Sequence, residues 1–140
     1  MEKFLYFLLA LLGFSSCVGL VCEYGTPTTD FAVKGKVTDS EGTPIKGIVV
    51  SSKSVQSFYD GSGLSAVTDE KGEFVTNKVT EFGVGGVLVF TDIDGSENGG
   101  DFETCEKDLS KLPKTQVKKG DGSWYQGEYE VTAEVKLDKK

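Results

Sequence analysis

The segment Asp92-Ile93-Asp94-Gly95-Ser96-Glu97-Asn98-Gly99-Gly100-Asp101-Phe102-Glu103 gathers carboxylates, an amide and glycines into one short stretch. Oxygen donors on a flexible loop are what Ca²⁺ takes. Asp92, Asp94, Asn98 and Asp101 are the candidate ligands, with Glu103 as a fifth. Asp92 and Asp94 fall on one face of an extended strand, and the glycines would let the chain fold over an ion. The spacing is not that of an EF-hand, because Gly95 stands fourth and Glu97 sixth, where the glycine is needed. Such a site would be weak, with a dissociation constant on the order of 10⁻⁴ to 10⁻³ M, as in extracellular modules. A solvated loop with glycines at its turns accounts for the same residues without a cofactor, and it is the primary expectation.

Other chemistries are narrowed by what the chain lacks. It contains no histidine, which removes Ser-His-Asp and Cys-His catalysis, histidine metal sites and histidine pH switching. The three cysteines are Cys17, Cys22 and Cys105. Cys22 and Cys105 could pair in an oxidising compartment, although Cys22 lies in a linker and nothing in the sequence brings it to Cys105. With no histidine to activate it, Cys105 is not expected to be a catalytic or redox thiol. A carboxylate hydrolase built on Asp92 and Asp94 would need a cleft and a perturbed acid, and no pattern predicts one. The expectation is that the protein is not an enzyme. The net charge of −7 excludes nucleic acid as a partner, since phosphate contacts need a basic footprint.

Aromatic residues offer the remaining recognition chemistry. Trp124, Tyr125 and Tyr129 follow the loop Lys118-Lys119-Gly120-Asp121-Gly122. An exposed Trp-Tyr pair could stack on a sugar or peptide, but burial in the core or at a sheet edge is the expectation. Phe58-Tyr59-Asp60-Gly61 reads as part of a loop.

These residues are positioned by strands. Phe31, Val33, Gly35 and Val37 alternate with Ala32, Lys34, Lys36 and Thr38, the period of a half-buried strand. Asp39-Ser40-Glu41-Gly42 is a turn, and Ile45 to Val50 begins the next strand. Leu64–Thr68 and Glu73–Thr76 flank Asp69-Glu70-Lys71-Gly72, which reads as a hairpin connection. Val84 to Ile93 is nearly continuous in apolar residues, as in a central strand buried on both faces. Tyr129, Val131, Ala133, Val135 and Leu137 alternate with polar residues in the clearest strand of all. The expected core includes Val37, Phe74, Val89 and Val135. With no sustained helical period, the 140-residue chain predicts an all-β fold, a single sandwich.

The N-terminus supplies an address. Residues 1–16 form a signal peptide, with Lys3 as a minimal positive region and an apolar run Phe4–Leu12 too short to span a bilayer. Gly13-Phe14-Ser15-Ser16-Cys17 resembles a bacterial lipobox, with Phe14 in place of the usual leucine. Val21 makes Cys22 a poor rival. Cys17 is therefore the expected lipidation site. Several acyl chains there would give stable anchoring. Residues 17–30 form the acylated cysteine and tether, and residues 31–140 the β-sandwich domain. The expected location is the cell envelope, on the outer membrane. Both a surface-facing and a periplasm-facing domain fit.

Two resemblances extend this reading. Val33-Lys34-Gly35-Lys36-Val37-Thr38-Asp39 with Gly42-Thr43-Pro44-Ile45-Lys46-Gly47-Ile48-Val49-Val50, and then Thr68-Asp69-Glu70-Lys71-Gly72-Glu73-Phe74, resemble a carboxypeptidase regulatory-like domain. The resemblance implies a transthyretin-like or prealbumin-like sandwich, usually a non-enzymatic binding or spacing module. More broadly, Leu12–Cys17, Glu23-Tyr24-Gly25-Thr26-Pro27, Phe90–Gly95, Glu97–Gly100 and Trp124-Tyr125-Gln126-Gly127 resemble a Bacteroidetes-type group of radical-SAM-associated lipoproteins. That implies a radical-SAM enzyme as a neighbour and candidate partner, but no catalytic residues. Two expectations stand: an envelope module that binds an unknown protein or glycan or acts as a spacer, or a substrate or accessory of a radical-SAM maturation system.

Overall fold

The period-two alternation places the two longest strands where it predicts them. In the computed structural model, which describes residues 27–140, β1 runs over Thr28–Asp39 and the last strand, β9, over Tyr125–Leu137. Between them lie β2 (Ile48–Lys53), β3 (Ser65–Val67), β4 (Glu73–Val75), β5 (Val79–Glu81), β6 (Val87–Asp92), β7 (Cys105–Asp108), a short 3₁₀ turn (Leu109–Lys111) and β8 (Lys114–Lys119). The fold is an all-β sandwich of two sheets. One has the order β4-β1-β9-β8, with β5 also on β1, and the other has the order β3-β2-β6-β7.

β1 and β9 pair in parallel from Thr28 opposite Tyr125 to Asp39 opposite Leu137. The other edge of β1 is shared by β5 at Thr29–Phe31 and β4 at Lys34–Lys36. All remaining pairs are antiparallel. Phe31, Val33 and Val37 of β1, with Val131, Ala133, Val135 and Leu137 of β9, face Ile48 and Val50 of β2 and Leu88 and Phe90 of β6 across the core. Phe74 and Phe90 meet edge to face, 5.7 Å between ring centres, a geometry worth about 0.5–1.5 kcal/mol beyond the buried area.

Buried polar groups in this core are matched. The Thr68 hydroxyl accepts the Ile48 N–H at 2.9 Å and donates to the Ile45 carbonyl at 2.7 Å. The Thr76 hydroxyl likewise accepts the Val33 N–H at 2.9 Å. Among the described residues no buried side-chain nitrogen or oxygen lacks a partner, as a low-dielectric interior demands.

Several sequence expectations are corrected. β6 is not buried on both faces: Leu88 and Phe90 are buried while Val87, Val89 and Thr91 are half-buried. A two-layer sandwich covers one face of each sheet, so Val89 lies outside the core that Val37, Phe74 and Val135 join. Asp69–Gly72 is not a hairpin. β3 pairs with β2 in one sheet and β4 with β1 in the other, so this turn carries the chain between layers. Ile45 is buried ahead of β2, which starts at Ile48. β1 opens at Thr28, before the alternation is evident.

Gly35 marks the closest approach in the parallel ladder. It stands opposite Ala133, and a Cβ there would come 1.8 Å from the Ala133 carbonyl oxygen. The obstacle is backbone, so no rotamer change relieves it. Gly35→Ala is expected to lower stability by at least about 1–3 kcal/mol, the usual cost of overpacking. A urea midpoint equal to wild type would show that the two strands can separate there freely.

Candidate functional site

The acidic loop is built from the end of β6 outward. Asp92 accepts the Asp94 N–H at 3.2 Å on one oxygen and the Phe102 N–H at 3.0 Å on the other. One carboxylate thus laces both sides of the loop base, while the buried Phe102 ring anchors the return. The chain beyond β9 straps the loop from outside. Glu103 N–H donates to the Asp138 carbonyl at 2.8 Å and Lys140 N–H to the Asp101 carbonyl at 2.9 Å. Asp94 accepts the Asn98 side-chain N–H at 2.7 Å. It also leans over Gly47, where an added Cβ would lie 2.7 Å from its carboxylate oxygen.

The structure therefore brings Asp92, Asp94 and Asn98 together, and turns Asp101 toward the Lys140 ammonium at 3.6 Å. Glu103 joins through its backbone. Burial, followed by the neighbouring Asp94 carboxyl, raises the Asp92 pKa. The Asn98 amide, followed by Asp92, lowers that of Asp94. Both Asp92 oxygens and one Asp94 oxygen are engaged in closing the loop, and Asn98 presents its side-chain N–H to Asp94. Among the described residues no group of three or more Asp, Glu, Cys or His is arranged to hold a metal ion.

A second carboxylate escaped sequence reasoning because it fell in the segment read as tether. Asp30 accepts the Tyr125 hydroxyl at 2.9 Å and the Thr80 hydroxyl on its other oxygen. It ties β1 to β9 on one side and to β5 on the other. Burial, then Asp30, pushes the Tyr125 hydroxyl up to about 12. Extending the alternation of β1 back to Thr29, which is buried, would have placed Asp30 on the outer face.

Aromatic side chains form the third cluster, and here the structure departs furthest from expectation. Trp124 is not core: 48% of it is exposed, while Tyr125 and Tyr129 are half-buried. Phe58, Tyr59 and Phe82 are 61%, 79% and 54% exposed. The Phe58 ring stands 5.7 Å from both Tyr59 and Phe82, edge to face. The Phe58 N–H donates to the Thr80 carbonyl at 2.7 Å, which fastens this loop along β5. Such contiguous exposed apolar surface marks interaction sites. Phe82 carries no sequence signal, since its exposure is decided by the partner loop.

Cys105 opens β7, half-buried, with its thiol 3.9 Å from the Glu106 carbonyl. The signal segment 1–16, Cys17 and Cys22 lie outside the described residues. Among the described residues no helix is long and apolar enough to cross a membrane.

Two measurements test these assignments. A Ca²⁺ site with a dissociation constant near 10⁻⁴ M would add about 1.4 kcal/mol at millimolar ion. The engaged oxygens predict instead an equal melting temperature in Ca²⁺ and in chelator. A rise that disappears in the Asp92→Asn, Asp94→Asn double variant would show that the loop opens to take the ion. For Tyr125, the folded chain retains a proton that the unfolded chain releases near 10. Its contribution to stability is whole below pH 10 and is lost as pH rises to about 12. Ultraviolet titration should show a phenolate step near 12 that Asp30→Asn moves toward 10.

No protein-family model, no curated protein and no solved structure matches this chain.

Proposed function

We propose that the chain is a lipid-anchored protein of the cell envelope. Cys17 carries the acyl chains, the following residues are the tether, and the β sandwich is a non-enzymatic module that binds or spaces. The observation that carries the binding role is the cluster Phe58, Tyr59 and Phe82, in which the Phe58 ring meets both of the others in solvent. Exposing rings at this density costs solvation free energy that a partner surface would recover. The anchor rests on the small residues before Cys17 and the short apolar run ahead of them.

In the same reading the sandwich is of the carboxypeptidase regulatory-like, transthyretin-like kind. Support comes from the two segments that carry this resemblance. In each, an aspartate caps the turn between strands: Asp39 accepts the N–H groups of Glu41 and Thr43, and Asp69 those of Lys71 and Glu73, all at 2.9 Å.

Cys17→Ala is the test of the anchor. The variant should leave the membrane fraction or accumulate unprocessed. Normal processing with membrane retention would overturn the proposal. The intact mass of wild-type protein checks the alternative role suggested by the radical-SAM resemblance, because a maturation substrate would carry mass beyond the lipid.

A further inference from the structure

We infer that the aromatic end of the sandwich is a membrane seat, so that the anchored domain rests on the lipid surface through Phe58, Tyr59 and Phe82 with Trp124 beside them. This rests on the lipid-anchor reading and names the partner of the aromatic surface.

The argument begins where the chain enters the sandwich. Glu81 pairs with Thr29, and Phe82 follows it on one side of Thr28. On the other side the Thr28 N–H donates to the Trp124 carbonyl at 2.7 Å. With strands about 4.8 Å apart, Phe82 and Trp124 flank the entry point at roughly 10 Å separation. Phe58 stacks on Phe82 from the neighbouring loop. Among the described residues the four exposed aromatics, Phe58, Tyr59, Phe82 and Trp124, therefore sit at the end from which the tether to Cys17 departs.

The tether is short. About ten residues separate Cys17 from Pro27, reaching about 35 Å fully extended and about 17 Å as a flexible coil. β1 alone has 12 residues and spans about 40 Å. The entry end is thus held beside the bilayer, at the high effective concentration a short linker gives, and the far end is not. Tyr, Trp and Phe are the side chains that settle at the headgroup level.

Charge points the same way. β1 and β9 run in parallel, so Asp39 and Leu137 lie together at the far end. The acidic loop is there too, strapped by Asp138–Lys140. At the near end the carboxylates have partners within the chain: Asp30 in Tyr125 and Thr80, Asp60 in Ser62, Glu81 in the Gln56 N–H, Asp121 in the Ser123 and Tyr125 N–H groups, and Glu128 in Lys78 at 3.8 Å, with Lys118 over the Tyr125 ring adding a further positive charge. The aromatic rings thus lie where carboxylates and lysines occur together, and the dense acidic loop lies at the far end. With a net charge of −7, the molecule fits a zwitterionic surface rather than an anionic one.

The test uses full-length protein extracted from membranes and reconstituted in phosphatidylcholine vesicles, with and without brominated acyl chains. Trp124 is the single tryptophan, so its emission reports this end alone. Wild-type emission should be blue-shifted and lose intensity with brominated lipid. The Phe58→Ser, Tyr59→Ser, Phe82→Ser variant should still float with the vesicles but lose both effects. Tyr59→Ser alone, at the most exposed ring, should reduce the quenching without disturbing the fold. Adding anionic phosphatidylglycerol should weaken quenching in wild type. Protein that floats with unquenched Trp124, or a triple variant quenched like wild type, overturns the seat and leaves the aromatic end to a protein or glycan. Protein that does not float overturns the anchor, and the seat with it.

Discussion

The parallel pairing of β1 with β9 joins the first and last strands of the domain, and both sheets depend on it. Every buried residue of β1 and β9 faces the core only if these strands keep their register, because a slip of one residue would turn each side chain to the opposite face. Gly35 lets the backbones approach at Ala133. Asp30 holds the entry end through Tyr125, across 95 positions of sequence. Pairing of such separation must await most of the chain, which places this fold among the slower-forming topologies.

Much of the acidity has a structural use. Asp39, Asp69 and Asp121 each accept backbone N–H groups two and four positions ahead, and each donates its own N–H to the carbonyl four positions on. Asp92 does a longer-range version, reaching the Phe102 N–H at the end of its loop. Asp108 accepts from Ser110 to start the 3₁₀ turn, and that bond lowers its pKa. Aspartate suits this role because its short side chain reaches the following amides without strain. A carboxylate-rich sequence thus becomes a set of closed turns.

The strands that alternate cleanly were readable from sequence, because burial on one face imprints a period of two. Phe31 to Val37 and Tyr129 to Leu137 behave this way. The edge strands β7 and β8 were not readable. Lys114–Lys119 is exposed at every position, so pairing with β9 left no mark on composition. The apolar run ending in Ile93 misled for a related reason. Val89 is half-buried and Ile93 is 71% exposed, because apolar residues also occupy outer faces. Turn chemistry at Asp69–Gly72 was correctly identified, yet a turn does not say whether its two strands share a sheet. Of the candidate sites, the composition of the acidic loop was visible at once, whereas the bonds within it, and the meeting of Phe58 with Phe82, depend on distant segments.

A domain whose first and last strands pair in parallel also has a mechanical character. Because β1 and β9 run in parallel, the entry end of β1 and the exit end of β9 lie at opposite ends of the molecule. A pull between Thr28 and Leu137 would therefore shear the whole ladder at once, loading many backbone hydrogen bonds together. Antiparallel terminal strands pulled from adjacent ends would instead unzip bond by bond. Forced unfolding is governed by the unfolding rate, so resistance to such a pull would be set by this one seam, from Thr28 to Leu137.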